Sequence, residues 1–469
     1  MEFRKPILGV ALLAAVLLAA ACGPATESPE PSDVLVLEVR PFAVHGEEGE
    51  AGYVSRAFAG SLANNLKQAT GLRVVGEHEE LQPDRVLTGT LTRDGLAVHV
   101  TLELQGEPSK PPLWRTEAEA VGGDLSDLAS RLSREAVGAM DTTFPRLYPV
   151  ISDLGAGEAM SASPLLEQAL AALRQYDIGG FLADTQELVG QFDSDPAAHV
   201  FHAWALVHTW SGAPERETLA RLKDRLVELD RVDPDSPYDE LLHAFIYRSS
   251  GNPDWALELY TRVLARNDLA ASARAWALRQ RAYAYVQVGN DAAALSDADA
   301  SVELDPAGAA NLVALSRALQ GVGRLDDAFL RSRQALALEP TAWRHHQRSG
   351  VVLTRAGRYT EAAKYLSRAC ELSNSQEACG NLAVALIRGG QTGEARRMAE
   401  RTRKLAGSPW GMYNLACFWA LAGDRDKAVD SLGRALALGF SDMLVTTDTD
   451  LDSLRDDPEF HRIMTAIED

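Results

Sequence analysis

The amino-acid sequence predicts a mostly α-helical chain in which a small α/β domain precedes a long all-α superhelical solenoid. Two observations predict the solenoid: residues 275–308 and 309–342 are consecutive units of equal length, and the same residue types recur in both. Each unit carries Gly at its position 15 and Pro at its position 32, namely Gly289 and Gly323, then Pro306 and Pro340. A fixed period of this kind is typical of stacked helix–turn–helix repeats. A third observation predicts the α/β domain, because residues 34–145 mix strand-like and helix-like patterns.

The residue types of the repeated units have physical reasons. Small residues at positions 8 and 20, such as Ala282 and Ala294, let two antiparallel helices approach closely. Gly at position 15 supplies the left-handed conformation that ends the first helix. Pro at position 32 ends the second helix, because it lacks an N–H and its ring clashes with the preceding turn. The units resemble the tetratricopeptide repeat, which implies a superhelix with a groove lined by the first helices.

The pattern extends in both directions from these two units. The further regular units are residues 237–270, 343–375, 376–408 and 409–441. Residues 165–236 fit as two irregular units, so we expect an array of about eight hairpins over residues 165–441. Residues 442–469 should close the array, with a helix over residues 454–467 that covers the apolar face of the last repeat.

Composition restricts the classes of function. The chain has 469 residues, of which 46% are hydrophobic and 24% are charged, and these globular values exclude wholesale disorder. Its formal net charge of −20 argues against nonspecific nucleic-acid binding, which needs a basic surface. We therefore expect protein or peptide partners and no nucleic acid.

The N-terminus indicates export. Basic residues precede an apolar run over residues 7–21, which is short for a membrane span and typical of a secretory signal. The sequence Ala-Ala-Ala-Cys that ends at Cys22 resembles the lipobox of bacterial lipoproteins. This resemblance implies that residues 1–21 are removed and that Cys22 is lipidated. Gly23 implies, by the same resemblance, the periplasmic face of the outer membrane. The alternative is an ordinary signal peptide with an incidental cysteine.

Two different segments follow the predicted signal. Residues 22–33 are rich in Pro, Ser and Glu and have almost nothing to bury, which predicts a flexible tether. Residues 34–145 then predict a β-α-β-β-β-β-α order, and therefore a small mixed sheet with helices packed on it. The predicted strands are residues 34–39, 72–75, 86–92, 96–104 and 113–121, and the predicted helices are residues 51–69 and 125–140.

Short segments of this first domain resemble the TolB-like, FlgO-like N-terminal domain of bacterial envelope and signalling proteins. The segments that carry the resemblance are residues 39–42, 71–75, 86–91 and 113–114. In that family the domain often precedes tetratricopeptide repeats. The resemblance implies protein–protein interaction rather than catalysis.

The predicted groove supplies the candidate ligand-binding residues. Positions 2, 5, 9 and 12 of each first helix usually face inward in tetratricopeptide repeats, and related repeats often carry a ligand-binding Asn at position 6. These positions give Tyr238, Phe245, Trp276, Arg279, Tyr283, Arg317, Arg344, Gln347, Asn381, Trp410, Tyr413 and Asn414. Aromatic and arginine side chains suit a peptide groove. The arginines favour an acidic or C-terminal carboxylate ligand. The alternative for the Trp and Tyr residues is packing between helices.

Two cysteines lie where one repeat joins the next. The segment from Cys370 to Cys379 resembles the cysteine-rich helical repeats of secreted bacterial proteins, in which such a pair joins consecutive hairpins by a disulfide. Export makes oxidation possible. The alternative is a pair of buried thiols at small-residue positions. Cys417 is expected in the core.

Two groups of residues are weighed as metal ligands, and we expect a metal at neither. The acidic run over residues 448–452 lacks the Gly that a calcium loop needs, and resembles the cap that follows a last tetratricopeptide repeat. His199 and His202 share a helix face, with His208 nearby, but no acidic or cysteine ligand completes the set. The sequence contains no phosphate loop, hydrolase elbow or zinc-protease motif. We therefore expect no cofactor and no catalytic residue.

The sequence thus predicts a non-enzymatic, envelope-anchored scaffold that binds proteins or peptides in the groove of its repeats. Two alternatives stay open. The groove aromatics could contact glycan or peptidoglycan, or the chain could be a subunit of an envelope enzyme.

Overall fold

The computed structural model describes residues 34–45, 50–76, 81–94, 97–106, 110–121, 125–140, 142, 160, 163–174, 178–208, 216–438, 440, 443–446 and 448–468. The predicted signal and the whole predicted tether, including Cys22, lie outside these residues. None of the described helices is long and apolar enough to cross a membrane.

The N-terminal domain contains a mixed sheet, as its β-α-β-β-β-β-α pattern predicts, with six strands where the pattern predicts five. The strands are β1 Leu35–Val39, β2 Ala43–His45, β3 Leu72–Val75, β4 Arg85–Asp94, β5 Ala97–Gln105 and β6 Trp114–Val121. The order is β3-β1-β4-β5-β6, with β1 parallel to both neighbours and β4, β5 and β6 antiparallel. Strand β2 was not predicted. It pairs in parallel with Thr90–Thr92 of β4, beyond the point where β1 ends.

One face of the sheet carries the domain's core. Along β5 the buried residues alternate with more exposed ones, as expected for a strand covered on one side. Helices α1 Glu50–Leu66 and α2 Leu125–Ala139 pack against each other and against this sheet. Helix α1 ends at Leu66, before the predicted end, and Gly71 at φ +75° turns the chain into β3.

In the described part of the chain, sixteen further helices form eight consecutive hairpins, which confirms the predicted solenoid. They are α3 Pro164–Arg174, α4 Ile178–Gln191, α5 Pro196–His208, α6 Arg216–Val232, α7 Tyr238–Ser249, α8 Pro253–Leu264, α9 Ala271–Gln287, α10 Asp291–Leu304, α11 Ala309–Gly321, α12 Leu325–Leu338, α13 Trp343–Arg355, α14 Tyr359–Ser373, α15 Gln376–Arg388, α16 Thr392–Thr402, α17 Pro409–Leu421 and α18 Arg425–Ala437. Gly289 and Gly323 end their first helices at φ +72° and +79°. Asn374, which replaces the Pro of its unit, ends α14 in the left-handed conformation.

The C-terminal segment covers the last hairpin with two 3-10 helices, Met443–Thr446 and Thr449–Leu454, and with α19 Pro458–Glu468. Helix α19 begins four residues later than predicted. Pro458 occupies its first turn, and the Asp457 carboxylate accepts the N–H groups of Glu459 and Phe460. The buried residues Leu451 and Phe460 belong to the same apolar cluster as helix α17.

The two regions share one core. Phe58 and Leu62 of α1 belong to the same buried cluster as Ala307, Leu312 and Leu338 of the central repeats. The N-terminal domain is therefore packed onto the array rather than held beside it by a linker.

A disulfide joins Cys370, near the end of α14, to Cys379 of α15, and their Cα atoms are 4.7 Å apart. It therefore connects two consecutive hairpins, at the place where the sequence suggested a bridge. Cys417 is a buried free thiol.

Close helix packing at Gly350 should be sensitive to one added methyl group. A Cβ there would lie 2.7 Å from Leu366 Cδ2, and closer still to its Cγ. Gly350→Ala should therefore lower the free energy of unfolding by about 1–3 kcal/mol, measured by urea denaturation. The matched control is Gly393→Ala in α16, where a Cβ would meet nothing within 4 Å. The packing explanation fails if both variants unfold at the same urea concentration.

Candidate functional site

The first helices of the hairpins lie side by side along the array. Contacts join α7 to α9, α9 to α11, α11 to α13, α13 to α15 and α15 to α17. We call the surface that these helices line the first-helix face. It is the place where the repeat pattern puts the candidate residues.

Four arginines come from four consecutive first helices and form what we call the arginine cluster: Arg248, Arg279, Arg317 and Arg348. Tyr283 of α9 lies among them. Its ring centre is 5.8 Å from the guanidinium carbon of Arg248. Tyr283 also acts to raise the pKa of Arg279 and of Arg348, which indicates that it lies near both side chains.

Arg348 is a half-buried cation whose hydrogen-bond acceptors are all neutral. It reaches from α13 to α11, where it donates to Ser316 Oγ at 3.1 Å, to the Ser316 carbonyl at 3.3 Å and to Gln320 Oε1. Burial, together with the nearby Arg317 and Arg355, lowers its pKa to about 9. The guanidinium therefore stays charged at neutral pH. No carboxylate of the described chain forms an ion pair with it.

The other arginines of the cluster also form no ion pair with a carboxylate of the described residues. Arg317 is half-buried and forms no hydrogen bond or ion pair with any described residue. Arg279 donates to the side-chain oxygen of Asn311 at 3.0 Å. Burial lowers the pKa of Arg279, and Arg248 acts in the same direction, whereas Asp305 and Glu339 oppose the shift. The cluster is thus a local excess of positive charge in a chain whose net charge is −20.

A neighbouring arginine shows how this chain compensates a buried cation elsewhere. Arg281, also on α9, forms two hydrogen bonds to the carboxylate of Asp297, at 2.7 and 2.9 Å. This is the two-pronged pairing that guanidinium and carboxylate groups favour. Among the described residues, no carboxylate pairs in this way with Arg317 or Arg348.

Several of the predicted aromatic residues pack inside the array. Tyr238 is only 2% exposed and belongs to a buried cluster. The rings of Phe245 and Trp276 lie 5.2 and 5.7 Å from that of Trp204. This is the packing between helices that the sequence left open as an alternative.

The predicted aromatic residues of α17 are also used internally. Tyr413 is 3% exposed, and its ring stacks on Phe440 with centres 4.5 Å apart. Its hydroxyl donates to Asp448 Oδ2 at 2.6 Å. Trp410 packs edge-on against both rings. These side chains hold the C-terminal cap on the last hairpin.

The remaining polar candidates have partners within the chain. The amides of Asn381 and Asn414 each donate to the backbone carbonyl of Glu377 at 3.2 Å. Gln347 donates to the Glu377 carboxylate at 2.6 Å. Arg344 is exposed, with its guanidinium 4.6 Å from the ring centre of Trp343. The structure therefore groups Arg279, Tyr283 and Arg317 but does not add these four residues to them.

Sequence reasoning missed Arg248 and Arg348. Arg248 stands at position 12 of its unit, which the repeat pattern already marks as inward-facing. Arg348 stands at position 6, where only asparagines had been sought. A search for every polar residue at these positions would have found both. Nothing in the sequence shows that the acceptors of Arg348 are neutral.

The acidic run near the C-terminus forms a cap. Donor atoms of Cys417, Asp448 and Asp450 lie within 4.8 Å of one another, which is compatible with a metal site. However, Asp448 already accepts hydrogen bonds from the Tyr413 hydroxyl and from the Asp450 backbone N–H. Asp450 already pairs with Arg388. These internal partners explain the cluster without an ion.

The histidines weighed as metal ligands also have internal partners. His202 is 1% exposed, and its Nδ1 lies 3.2 Å from the hydroxyl of Thr185. Burial lowers the pKa of His202 to about 4, so the ring is neutral at pH 7. His199 Nε2 lies 2.7 Å from the carbonyl of Asp193. The side chain of His208 lies outside the described residues.

No family model matches this chain, and no curated protein matches it. Among solved structures it is similar to a tetratricopeptide repeat protein from Parabacteroides merdae, with 15% identity, a TM-score of 0.41 and coverage of 57% of this chain and 98% of that one. A thermophilic tetratricopeptide repeat protein from Thermus thermophilus is 22% identical, with a TM-score of 0.34 and coverage of 43% and 100%. YrrB, a tetratricopeptide repeat protein with an unusual peptide-binding site, is 23% identical, with a TM-score of 0.27 and coverage of 41% and 97%. At these identities the likeness concerns the fold alone.

The two kinds of arginine should respond differently to the same substitution. Arg281→Gln leaves the buried carboxylate of Asp297 unpaired, so the free energy of unfolding should fall by roughly 3 kcal/mol. Arg348→Gln removes a cation that has no counter-ion, so stability should stay within about 1 kcal/mol of the wild type or rise. Urea denaturation of both variants measures the difference. Equal losses of stability would show that Arg348 is compensated in the folded chain.

Proposed function

We propose that this chain is a non-enzymatic scaffold of the bacterial cell envelope that binds an acidic segment of a partner protein at its arginine cluster. One observation carries the binding site. Arg348 is bonded to neutral acceptors alone, and Arg317 beside it has no partner among the described residues. A carboxylate bound there would neutralise charge that the fold leaves uncompensated.

The geometry of the cluster favours such a ligand. The hydrogen bonds of Arg348 to α11 fix its guanidinium before any ligand arrives, so little side-chain entropy is lost on binding. Its partial burial strengthens the attraction to a carboxylate relative to the same contact in water. The half-buried Tyr283 adds an aromatic surface at the same place.

A ligand dominated by sugar rings is less well supported. Such a ligand would stack on open aromatic faces, whereas Tyr238, Trp276 and Tyr413 are buried among other rings. Charge rather than aromatic surface is the feature that the first-helix face offers. We therefore favour an acidic protein segment over glycan.

The cell-envelope location rests on the N-terminal sequence. A basic flank, the apolar run over residues 7–21 and Cys22 match the order of a lipoprotein signal. Several acyl chains on Cys22 would hold the chain stably at a membrane, where one chain would hold it only marginally. Residues 22–33 would then link the lipid to the folded part.

Binding can be tested with a fluorescein-labelled peptide of six glutamates and a matched peptide in which glutamine replaces every glutamate. Fluorescence anisotropy at low salt should show binding of the glutamate peptide alone. Arg317→Gln and Arg348→Gln should each weaken it about tenfold, as expected for the loss of a charge-assisted contact. Arg403→Gln is the control, because Arg403 is exposed and paired with Glu400. Equal binding of both peptides, or unchanged binding by both cluster variants, would refute the proposed site.

Lipidation can be tested in a bacterial host fed a palmitate analogue that can be labelled. The wild-type chain should incorporate the label and remain with the membrane fraction at high salt. Cys22→Ser should incorporate none and should leave the membrane fraction, because its lipid attachment site is gone. If Cys22→Ser stays in the membrane fraction, the anchor is not this cysteine.

A further inference from the structure

The N-terminal domain contacts three successive junctions between hairpins. Gln68 accepts the N–H of Ala271 at 2.7 Å and donates to the Leu269 carbonyl at 3.2 Å. Asn64 donates to the Glu303 carbonyl at 2.7 Å. Arg93 donates to the carbonyl of Ala337 at 2.8 Å. The domain therefore contacts two consecutive hairpins, α9–α10 and α11–α12, together with the loop that precedes α9.

A buried carboxylate lies at the centre of this interface. Asp305 is 8% exposed and accepts hydrogen bonds from the hydroxyls of Ser61, at 2.7 Å, and Ser126, at 2.9 Å. Both serines belong to the N-terminal domain. Ser61 also accepts the backbone N–H of Ala307 at 2.9 Å. The array supplies the carboxylate, and the domain supplies two of its donors.

The same carboxylate is connected to the first-helix face. Asn311 donates to Asp305 Oδ2 at 3.1 Å, and its own side-chain oxygen accepts from Arg279 at 3.0 Å. Asn311 is 1% exposed, so this link between Asp305 and Arg279 lies in the interior. Hydrogen bonds thus run without a break from Ser126, through Asp305 and Asn311, to a member of the arginine cluster.

We propose that the docked N-terminal domain holds Arg279 in place on the first-helix face through Asp305 and Asn311, and that docking and anion binding are therefore coupled. This inference rests on the proposed function. With both serines in place, neutral donors satisfy Asp305, and Asn311 stands between its carboxylate and the guanidinium. Without the two serine hydroxyls, Asp305 accepts fewer hydrogen bonds, and a direct ion pair with Arg279 becomes favourable. Arg279 then forms an ion pair with Asp305 and is no longer available to bind a ligand carboxylate.

Coupling of this kind is reciprocal. A ligand carboxylate that binds the cluster favours the arrangement in which Arg279 is held away from Asp305. That arrangement is the one in which the serines bond to Asp305. Ligand binding should therefore tighten the contact between the N-terminal domain and the array. Asn311 acts here as a positioning residue, because it touches Arg279 and need not touch the ligand.

The test is a double-mutant cycle on the full chain, with the glutamate peptide as the probe. Ser126→Ala should weaken binding roughly fivefold, although Ser126 lies in the other domain. Arg279→Gln should weaken it at least as much, and the double variant should bind no more weakly than Arg279→Gln alone. Ser126→Thr, which keeps the hydroxyl, should restore binding.

The matched control is Ser133→Ala. Ser133 is a buried serine of the same helix α2, but it bonds to the Ala129 and Leu62 carbonyls within its own domain. It should leave the dissociation constant unchanged. Hydrogen exchange gives the reciprocal measurement: the peptide should slow amide exchange over residues 303–311 in the wild type and not in Arg279→Gln.

The outcomes separate the two proposals. If the peptide fails to bind the wild type, the proposed binding site and the proposed coupling are both refuted. If binding depends on Arg317 and Arg348 but not on Ser126, the proposed function stands and the coupling is wrong. The coupling is also wrong if the losses caused by Ser126→Ala and Arg279→Gln add fully in the double variant.

Discussion

The close contact of two antiparallel helices at small residues is the interaction on which the rest of the structure depends. Ala282 and Ala294 are almost wholly buried where α9 meets α10, and Gly350 leaves room only for the Leu366 side chain. A single hairpin leaves an apolar face exposed to water, so each hairpin packs that face against the next hairpin. The first helices are thereby aligned, and arginines that are far apart in sequence meet on one surface.

Features that repeat locally were predictable, and features that depend on distant contacts were not. The hairpins follow from Gly and Ala positions within single units, so the sequence alone predicts about eight of them. Strand β2 has three residues and exists because it pairs with β4. The docking of the N-terminal domain joins Ser61 to Asp305, which are 244 residues apart, and no sequence pattern encodes that contact.

The candidate site shows the same division. The period identified Arg279 and Arg317 as inward-facing, because that property depends on helix position alone. It did not show which arginines have counter-ions. Arg281 and Arg348 look alike in the sequence, yet one pairs with Asp297 and the other bonds to Ser316 and Gln320. Compensation of charge is a property of the packed hairpins, and it separates a structural arginine from a candidate binding residue.

The place where the N-terminal domain docks has a mechanical consequence. Strand β1 begins at Leu35, and the domain that contains it contacts α9 and α12 near the middle of the array. A pull on the chain before Leu35 therefore reaches the central hairpins directly through this interface. Such a pull acts close to the arginine cluster, because Asp305 at the interface is linked through Asn311 to Arg279.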